Sequence, residues 1–191
     1  MCLYLVIILL IFSGAVMKVD RDLVIKAREG DREAFANLYY SCYKDLYGFA
    51  LYTLGNVEDA ADAVADAFAD ILNGIEKLRD ADSFGIWAFR ILSARCKKEI
   101  SYRIKRRGIY SIEDIADTPS ADFENMEEDV AESASLSAAF AELEREERMI
   151  VVLSVLHGYK NREIAKMLGK PVGTLSYRLC RAYEKLRKRL K

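Results

Sequence analysis

The chain has 191 residues, of which 52% are apolar and 31% are charged, a composition typical of one or two globular domains and not of a disordered protein. Its cysteines, Cys2, Cys42, Cys96 and Cys180, form no C-x-x-C pair, which excludes a zinc finger or disulfide framework and favours a reduced, cytoplasmic protein. We find no motif for a nucleophile with its base, a phosphate-binding loop or a metal site, so we predict no enzyme, no catalytic residue, no cofactor and no metal.

The first sixteen residues, MCLYLVIILLIFSGAV, are almost wholly apolar. They fall short of the ~20 residues that span a bilayer, and they lack the basic region and cleavage site of a secretory signal. Three interpretations are open: a misassigned start codon, a membrane anchor or a buried helix. The first is favoured, because an ordinary soluble sequence begins at Met17.

The next part, residues 17–107, has the periodicity of packed helices. Residues 23–28 read as a short helix that ends near Gly30, and Asp31 is a good N-cap for a second helix. A Gly-Asn pair at 55–56 predicts a turn before a third helix over residues 58–74. In that third helix Val64, Phe68 and Ile71 form the apolar side.

Four carboxylates lie on the opposite side of this third helix, at spacings of three and four residues. They repel one another by a few tenths of a kcal/mol per pair, so the pattern indicates either a solvated face or a docking surface for a basic partner. The residues alone favour neither. The four are Asp59, Asp62, Asp66 and Asp70.

A fourth helix is predicted to begin after a cap at Asp82-Ser83, with Phe84, Trp87, Ile91 and Ala94 on its apolar side. Its C-terminal part, residues 97–107, has a net charge of +5 with Tyr102 among the cations. Aromatic and basic side chains together are typical of a track for single-stranded nucleic acid. The alternative is a set of cations that stabilises a helix C-terminus.

An acidic linker is predicted over residues 108–132. The segment 111–132 holds nine acids and no base, and low hydrophobicity with high charge favours a flexible chain. We interpret it as a plain tether, or as a mimic of nucleic acid that occupies a basic channel.

The last part, residues 133–191, contains the most informative pattern. A short amphipathic helix over 162–168 ends at Gly169, and Pro171 suits the first turn of a new helix. From Thr174 the apolar stripe continues, and residues 159–191 carry a net charge of +9. This pattern predicts a helix-turn-helix whose second helix enters the major groove of DNA. His157, just before the turn, is predicted to lie at the surface. The stripe consists of Leu175, Leu179, Ala182, Leu186 and Leu190.

Together these segments resemble the RNA polymerase sigma factors of the extracytoplasmic-function (ECF) class, within the sigma-70 family. GDREAFANLYYSCYKDLYGFALYTLGNVEDAADAVADAFADIL and SFGIWAFRILSARCKKEI resemble the family's region 2. LEREERMIVVLSVLHGYKNREIAKMLGKPVGTLSYRLCRAYEKLRKRL resembles its region 4. The resemblance implies an all-α fold with two helical domains joined by the acidic linker, the second a helix-turn-helix.

The resemblance also implies roles. Core RNA polymerase and promoter DNA become the expected partners, an anti-sigma factor is left open, and a membrane is expected only if residues 1–16 are translated. The acidic face of the third helix would dock on the polymerase. The −10 element would meet Trp87, Arg90, Lys97, Lys98 and Arg103, and the −35 element would meet Thr174, Ser176, Tyr177, Arg178, Arg181 and Lys185.

The chain departs from the family pattern at several positions. Ala65 replaces a frequent Gln, Ala94 a frequent Asn and Glu144 a frequent Pro. Lys160 replaces the usual Ser cap, so the capping box is expected to be lost, with Asn161 as a substitute cap. Two other functions remain open: a stand-alone helix-turn-helix regulator, and a membrane-tethered signalling protein that rests on residues 1–16.

Overall fold

The computed structural model of the chain describes residues 16–106 and 139–189, and in these ranges all regular structure is helical. Our predictions for the linker, for residues 1–15 and for Leu190 lie outside the described residues. The helices are α1 (Arg21–Arg28), α2 (Arg32–Leu54), α3 (Val57–Gly74), α4 (Phe84–Arg106), α5 (Arg145–Val151), α6 (Asn161–Leu168) and α7 (Val172–Arg189).

The predicted N-cap at Asp31 and the predicted turn at residues 55–56 are confirmed. The Asp31 carboxylate accepts hydrogen bonds from the Glu33 and Ala34 amides at 2.9 and 3.0 Å. Asn56 caps α3 through the Asp59 amide at 2.9 Å. Gly55 has a φ of 67°, the left-handed conformation that lets the chain leave α2 and turn at once into α3.

Helices α2, α3 and α4 pack around one apolar core. Leu38 and Phe49 of α2 are fully buried, and so are Ile71 of α3 and Phe89 of α4. Phe68, predicted on the apolar side of α3, lies with its ring centroid 4.3 Å from that of Tyr39. The helical periodicity therefore identified the core face of α3 correctly. The side predicted for α4 was wrong beyond Phe84, because Ala94 is exposed and the buried residues include Ala88, Phe89 and Leu92.

The entry into α4 differs from the prediction. The cap is Asp80, whose carboxylate accepts the Asp82 amide at 3.1 Å, while its carbonyl accepts the Ser83 hydroxyl at 2.7 Å. Residues Ala81–Ser83 form a 3₁₀ turn, and α4 begins directly after it. Asp80 therefore caps the turn that leads into α4, and the predicted cap residues Asp82 and Ser83 lie within that turn.

The helix-turn-helix of α6 and α7 is present. Gly169 ends α6 with a φ of 65°. Pro171 lies just outside α7, where its carbonyl accepts the Leu175 amide at 3.1 Å. Half of the capping box survives, since the Glu163 carboxylate accepts the Lys160 amide at 2.8 Å. Asn161 is therefore not the cap, and its amide donates to the Ser176 hydroxyl at 3.1 Å.

The two domains pack directly against each other. The Phe89 ring of α4 lies 5.0 Å from the ring of His157 and 5.5 Å from that of Tyr159. Tyr52 of α2 contacts Phe140 with centroids 5.4 Å apart. All five side chains are buried. The two predicted domains thus share one continuous core.

His157 corrects our expectation of a surface residue, because it is only 6% exposed. Burial in this apolar contact lowers its pKa to about 4. The sequence placed it before a turn, and it did not reveal that α4 would cover that turn. Within the described residues, no helix combines the length and apolar character needed to cross a membrane.

Candidate nucleic-acid interface

Helix α7 presents a polar face away from the core. Leu175 and Leu179 are buried and fix the rotation of the helix. The side chains between them point outward, and Tyr177 is 64% exposed. The exposed members of the predicted −35 set are Thr174, Ser176, Tyr177 and Arg181. The first turns of the second helix are the part that reaches base edges in a helix-turn-helix.

The other two predicted −35 residues are half-buried and paired with acids at the start of α5, and the exposed Arg181 also lies 3.9 Å from Glu144. Arg178 Nη1 lies 2.7 Å from a Glu146 carboxylate oxygen. Lys185 Nζ lies 2.7 Å from Glu147, whose side chain is 1% exposed. Glu144 lies between them, 3.9 Å from Arg178 and 3.6 Å from Lys185. The basic face of α7 therefore has internal counter-ions along one edge.

Glu146 is the centre of this edge. One of its oxygens contacts Arg178, and the other lies 3.0 Å from Lys170 Nζ in the turn before α7. Partial desolvation raises the pKa of this carboxyl, but the Lys170 hydrogen bond and the charges of Arg178, Lys170 and Lys97 outweigh it and lower the pKa overall. Glu146 is therefore charged at neutral pH.

The predicted −10 residues of α4 do not form one surface. Lys97 faces the second domain and donates to the Leu168 carbonyl at 3.2 Å. Arg103 faces α3, where it forms an ion pair with Asp59. Trp87 is half-buried against Gly74. Arg90 and Lys98 are exposed.

The acidic face of α3 is partly neutralised from within. The Arg95 guanidinium donates to both Asp70 oxygens at 2.6 and 2.5 Å, and to Asp66 at 2.9 Å. The hydrogen bonds to Arg95 are the main cause of the lowered pKa of Asp70. Asp62 is exposed and takes part in none of the ion pairs of Asp59, Asp66 or Asp70.

A groove of about 410 Å³, lined by several charged residues, lies between α3 and α4 beside these acids. Asp62 and Asp66 line one wall, and Lys98, Tyr102 and Lys105 line the other. The groove therefore brings the acids predicted to dock on the polymerase next to the basic, aromatic end of α4.

Sequence reasoning missed two residues at these surfaces, Arg95 and Glu146. Arg95 had a detectable signal, because it lies one turn before the basic end of α4 and faces the acids once the two helices pack antiparallel. Glu146 had none, because a glutamate near a helix N-terminus is common. Its contact with Arg178 depends on how α5 crosses α7.

Comparison with protein families matches both halves of the chain. Residues 38–107 match the model described as "Sigma-70 region 2", and residues 133–186 match "Sigma-70, region 4". The ECF RNA polymerase sigma factor SigM of Mycobacterium tuberculosis is 30% identical over 92% of this chain and 86% of its own length. The chain belongs to the ECF class of the sigma-70 family. This sigma factor binds core RNA polymerase and directs promoter-specific transcription initiation.

Further relatives support the same family. SigW of Bacillus subtilis, an ECF sigma factor, is 29% identical over 87% of this chain and 94% of its own length. Among solved structures, CnrH in complex with the cytosolic domain of CnrY aligns with a TM-score of 0.66, at 24% identity over 90% of this chain and 96% of that chain. RpoE of Bartonella quintana, solved with the anti-sigma factor NepR, aligns with a TM-score of 0.65, at 21% identity over 82% and 96% of the two chains.

These findings confirm the resemblance and the all-α fold. The stand-alone regulator is not favoured, because a regulator that acts without core polymerase does not require a region 2 domain. The residue-level assignments stay predictions.

Proposed function

We propose that three helices of this sigma factor have separate roles in binding. The outward face of α7 reads the −35 element, the exposed side of α4 contacts the −10 element, and the acidic face of α3 docks on core polymerase. The chain then acts as a non-enzymatic specificity subunit in the cytoplasm.

The observation that carries the −35 assignment is the exposure pattern of α7. Buried Leu175 and Leu179 hold the helix on α5 and α6, while Ser176, Tyr177 and Arg181 project from the same two turns into solvent. A helix that enters the major groove needs this combination of a fixed apolar side and a solvent-exposed polar side.

Within α7 the side chains fall into two classes. Arg178 lies in the first turns, and a guanidinium can donate in parallel to guanine O6 and N7, which is worth about 1–3 kcal/mol of discrimination. Arg181 lies farther along the helix and is 47% exposed, where contact with a phosphate is expected. Base contacts specify a sequence, whereas phosphate contacts only hold the protein on DNA.

The experiment uses holoenzyme assembled from the full chain and core polymerase. This holoenzyme is mixed with a randomised duplex library, and the sequences that it binds are selected. Arg178→Ala should relax the preference at one −35 position. Arg181→Ala should leave the selected sequence unchanged, weaken binding to all duplexes and lower the salt slope by about one. If Arg178→Ala lowers every sequence equally, base reading by Arg178 is wrong.

An anti-sigma protein is part of this proposal as a further partner. The support is that both solved structures named above are complexes of a sigma factor with a second protein. Tagged sigma factor isolated from its own cells should carry a stoichiometric partner other than polymerase. That partner should block assembly of the holoenzyme when it is added back. A chain recovered only with polymerase would oppose the idea.

A further inference from the structure

Glu146 of α5 lies behind the base-reading face of α7 and contacts two basic residues of the second domain at once. Its Oε2 lies 2.7 Å from Arg178 Nη1, and its Oε1 lies 3.0 Å from Lys170 Nζ. The carboxylate thus joins α5, the turn of the helix-turn-helix and the recognition helix. None of the sequence patterns above assigns it a role.

The contact uses only part of the Arg178 guanidinium. Arginine has five N–H donors in a planar fork, and Glu146 occupies Nη1. The Nε–Nη2 edge remains, and it is one of the pairs of donors that can bond in parallel to guanine O6 and N7. Arg178 remains 34% exposed in this position, so the fork is held and still accessible.

Holding the fork has a thermodynamic consequence. A free arginine loses rotamer entropy when it is fixed, and a side chain that is already fixed by a supporting contact loses less on binding. This smaller entropy loss strengthens binding to the base that accepts both N–H groups of the free edge. A mobile arginine would instead reach neighbouring phosphates from several rotamers.

We propose that Glu146 is a positioning residue for −35 recognition, which orients Arg178 so that its free edge faces one guanine. This inference rests on the proposed base reading by Arg178. It predicts that the carboxylate strengthens specificity, although a negative charge near DNA weakens binding to every sequence.

The test uses full-chain holoenzyme and the same randomised duplex library. Glu146→Gln should reduce the preference at the position that Arg178 reads by about tenfold, while binding to non-selected duplexes becomes stronger. In the double variant with Arg178→Ala, Glu146→Gln should relax that position no further. Glu146→Asp keeps the charge, shortens the side chain, and should relax the same position by a smaller factor.

The matched control is Glu142→Gln. Glu142 is exposed and lies 3.2 Å from Arg189 near the end of α7, so this variant removes the same charge without touching Arg178. It should leave the selected sequence unchanged. Helicity and the thermal midpoint of each variant verify the fold.

Two outcomes overturn the proposal in distinguishable ways. If Arg178→Ala relaxes one position but Glu146→Gln changes all sequences alike, Glu146 is only a counter-ion and the proposed function stands. If Arg178→Ala itself acts on all sequences alike, base reading by Arg178 fails and the positioning role fails with it.

Discussion

Single residues of the second domain serve both the fold and the DNA surface. Lys185 is the clearest example, since its ammonium contacts Glu147, a carboxylate that is 1% exposed. Glu147 also accepts the Glu144 amide at 3.0 Å and so closes the first turn of α5. The resemblance placed Lys185 in the −35 set, and the sequence did not show that the buried Glu147 carboxylate pairs with it.

Lys185→Ala should therefore destabilise the protein. Removing the lysine leaves a buried carboxylate with one partner fewer, and because Lys185 is partly exposed we expect a loss of about 2 kcal/mol, less than for a fully buried pair. The free energy of unfolding in urea measures it. In a Glu147→Gln background, where no charge is left behind, the same substitution should cost much less. An equal cost in both backgrounds would contradict the explanation.

Among the helices, α3 shows which structural features the sequence predicts and which it does not. Its apolar side was predicted correctly, because a 3.6-residue period depends on that helix alone. Its acidic side was predicted as one surface, and the structure divides it. Asp59, Asp66 and Asp70 pair with arginines of α4, whereas Asp62 is exposed outside those pairs. The division depends on the packing of two helices, which no pattern within one helix contains.

Asp62 is therefore the acid of α3 that should matter most to polymerase docking. Asp62→Lys should lower the affinity for core polymerase at least tenfold, as reversal of an exposed charge that meets a basic partner places like charges in contact. Helicity should not change, because the side chain contributes to none of the α3–α4 ion pairs. Glu76→Lys, at an exposed acid beyond the end of α3, is the control. Equal affinities of the two variants, measured by fluorescence anisotropy with core enzyme, would remove Asp62 from the interface.

At the scale of the whole molecule, the two domains form one packed body. The sequence predicted two domains, and the family models match residues 38–107 and 133–186. The sequence did not predict their contact, because Tyr52 lies three residues after Phe49 on the core side of its own helix, and Phe89 lies outside the apolar side predicted for the fourth helix. The sequence could not predict the polar contacts between the domains either. Lys97 donates to the backbone carbonyl of Leu168, and every residue has such a carbonyl. If Lys97 contacts the −10 element as predicted, it must first leave Leu168.

The domain contact should weaken in acid, and His157 should be the cause. Its pKa is lowered to about 4 by burial, against about 6.5 in the unfolded chain. Between these values the unfolded state binds a proton that the folded state excludes, so stability falls as the pH falls through this window.

The expected loss of unfolding free energy is about 2 kcal/mol between about pH 7 and about pH 5. His157→Gln cannot take up the proton and keeps a polar group of similar size beside Phe89. Its unfolding free energy in urea should be lower than that of the wild type at neutral pH, and it should fall by about 2 kcal/mol less over the same window. Other groups, such as Asp45, whose pKa is raised by burial, titrate in both proteins and cancel in the comparison. Parallel pH profiles for the two proteins would show that His157 does not sense pH at the interface.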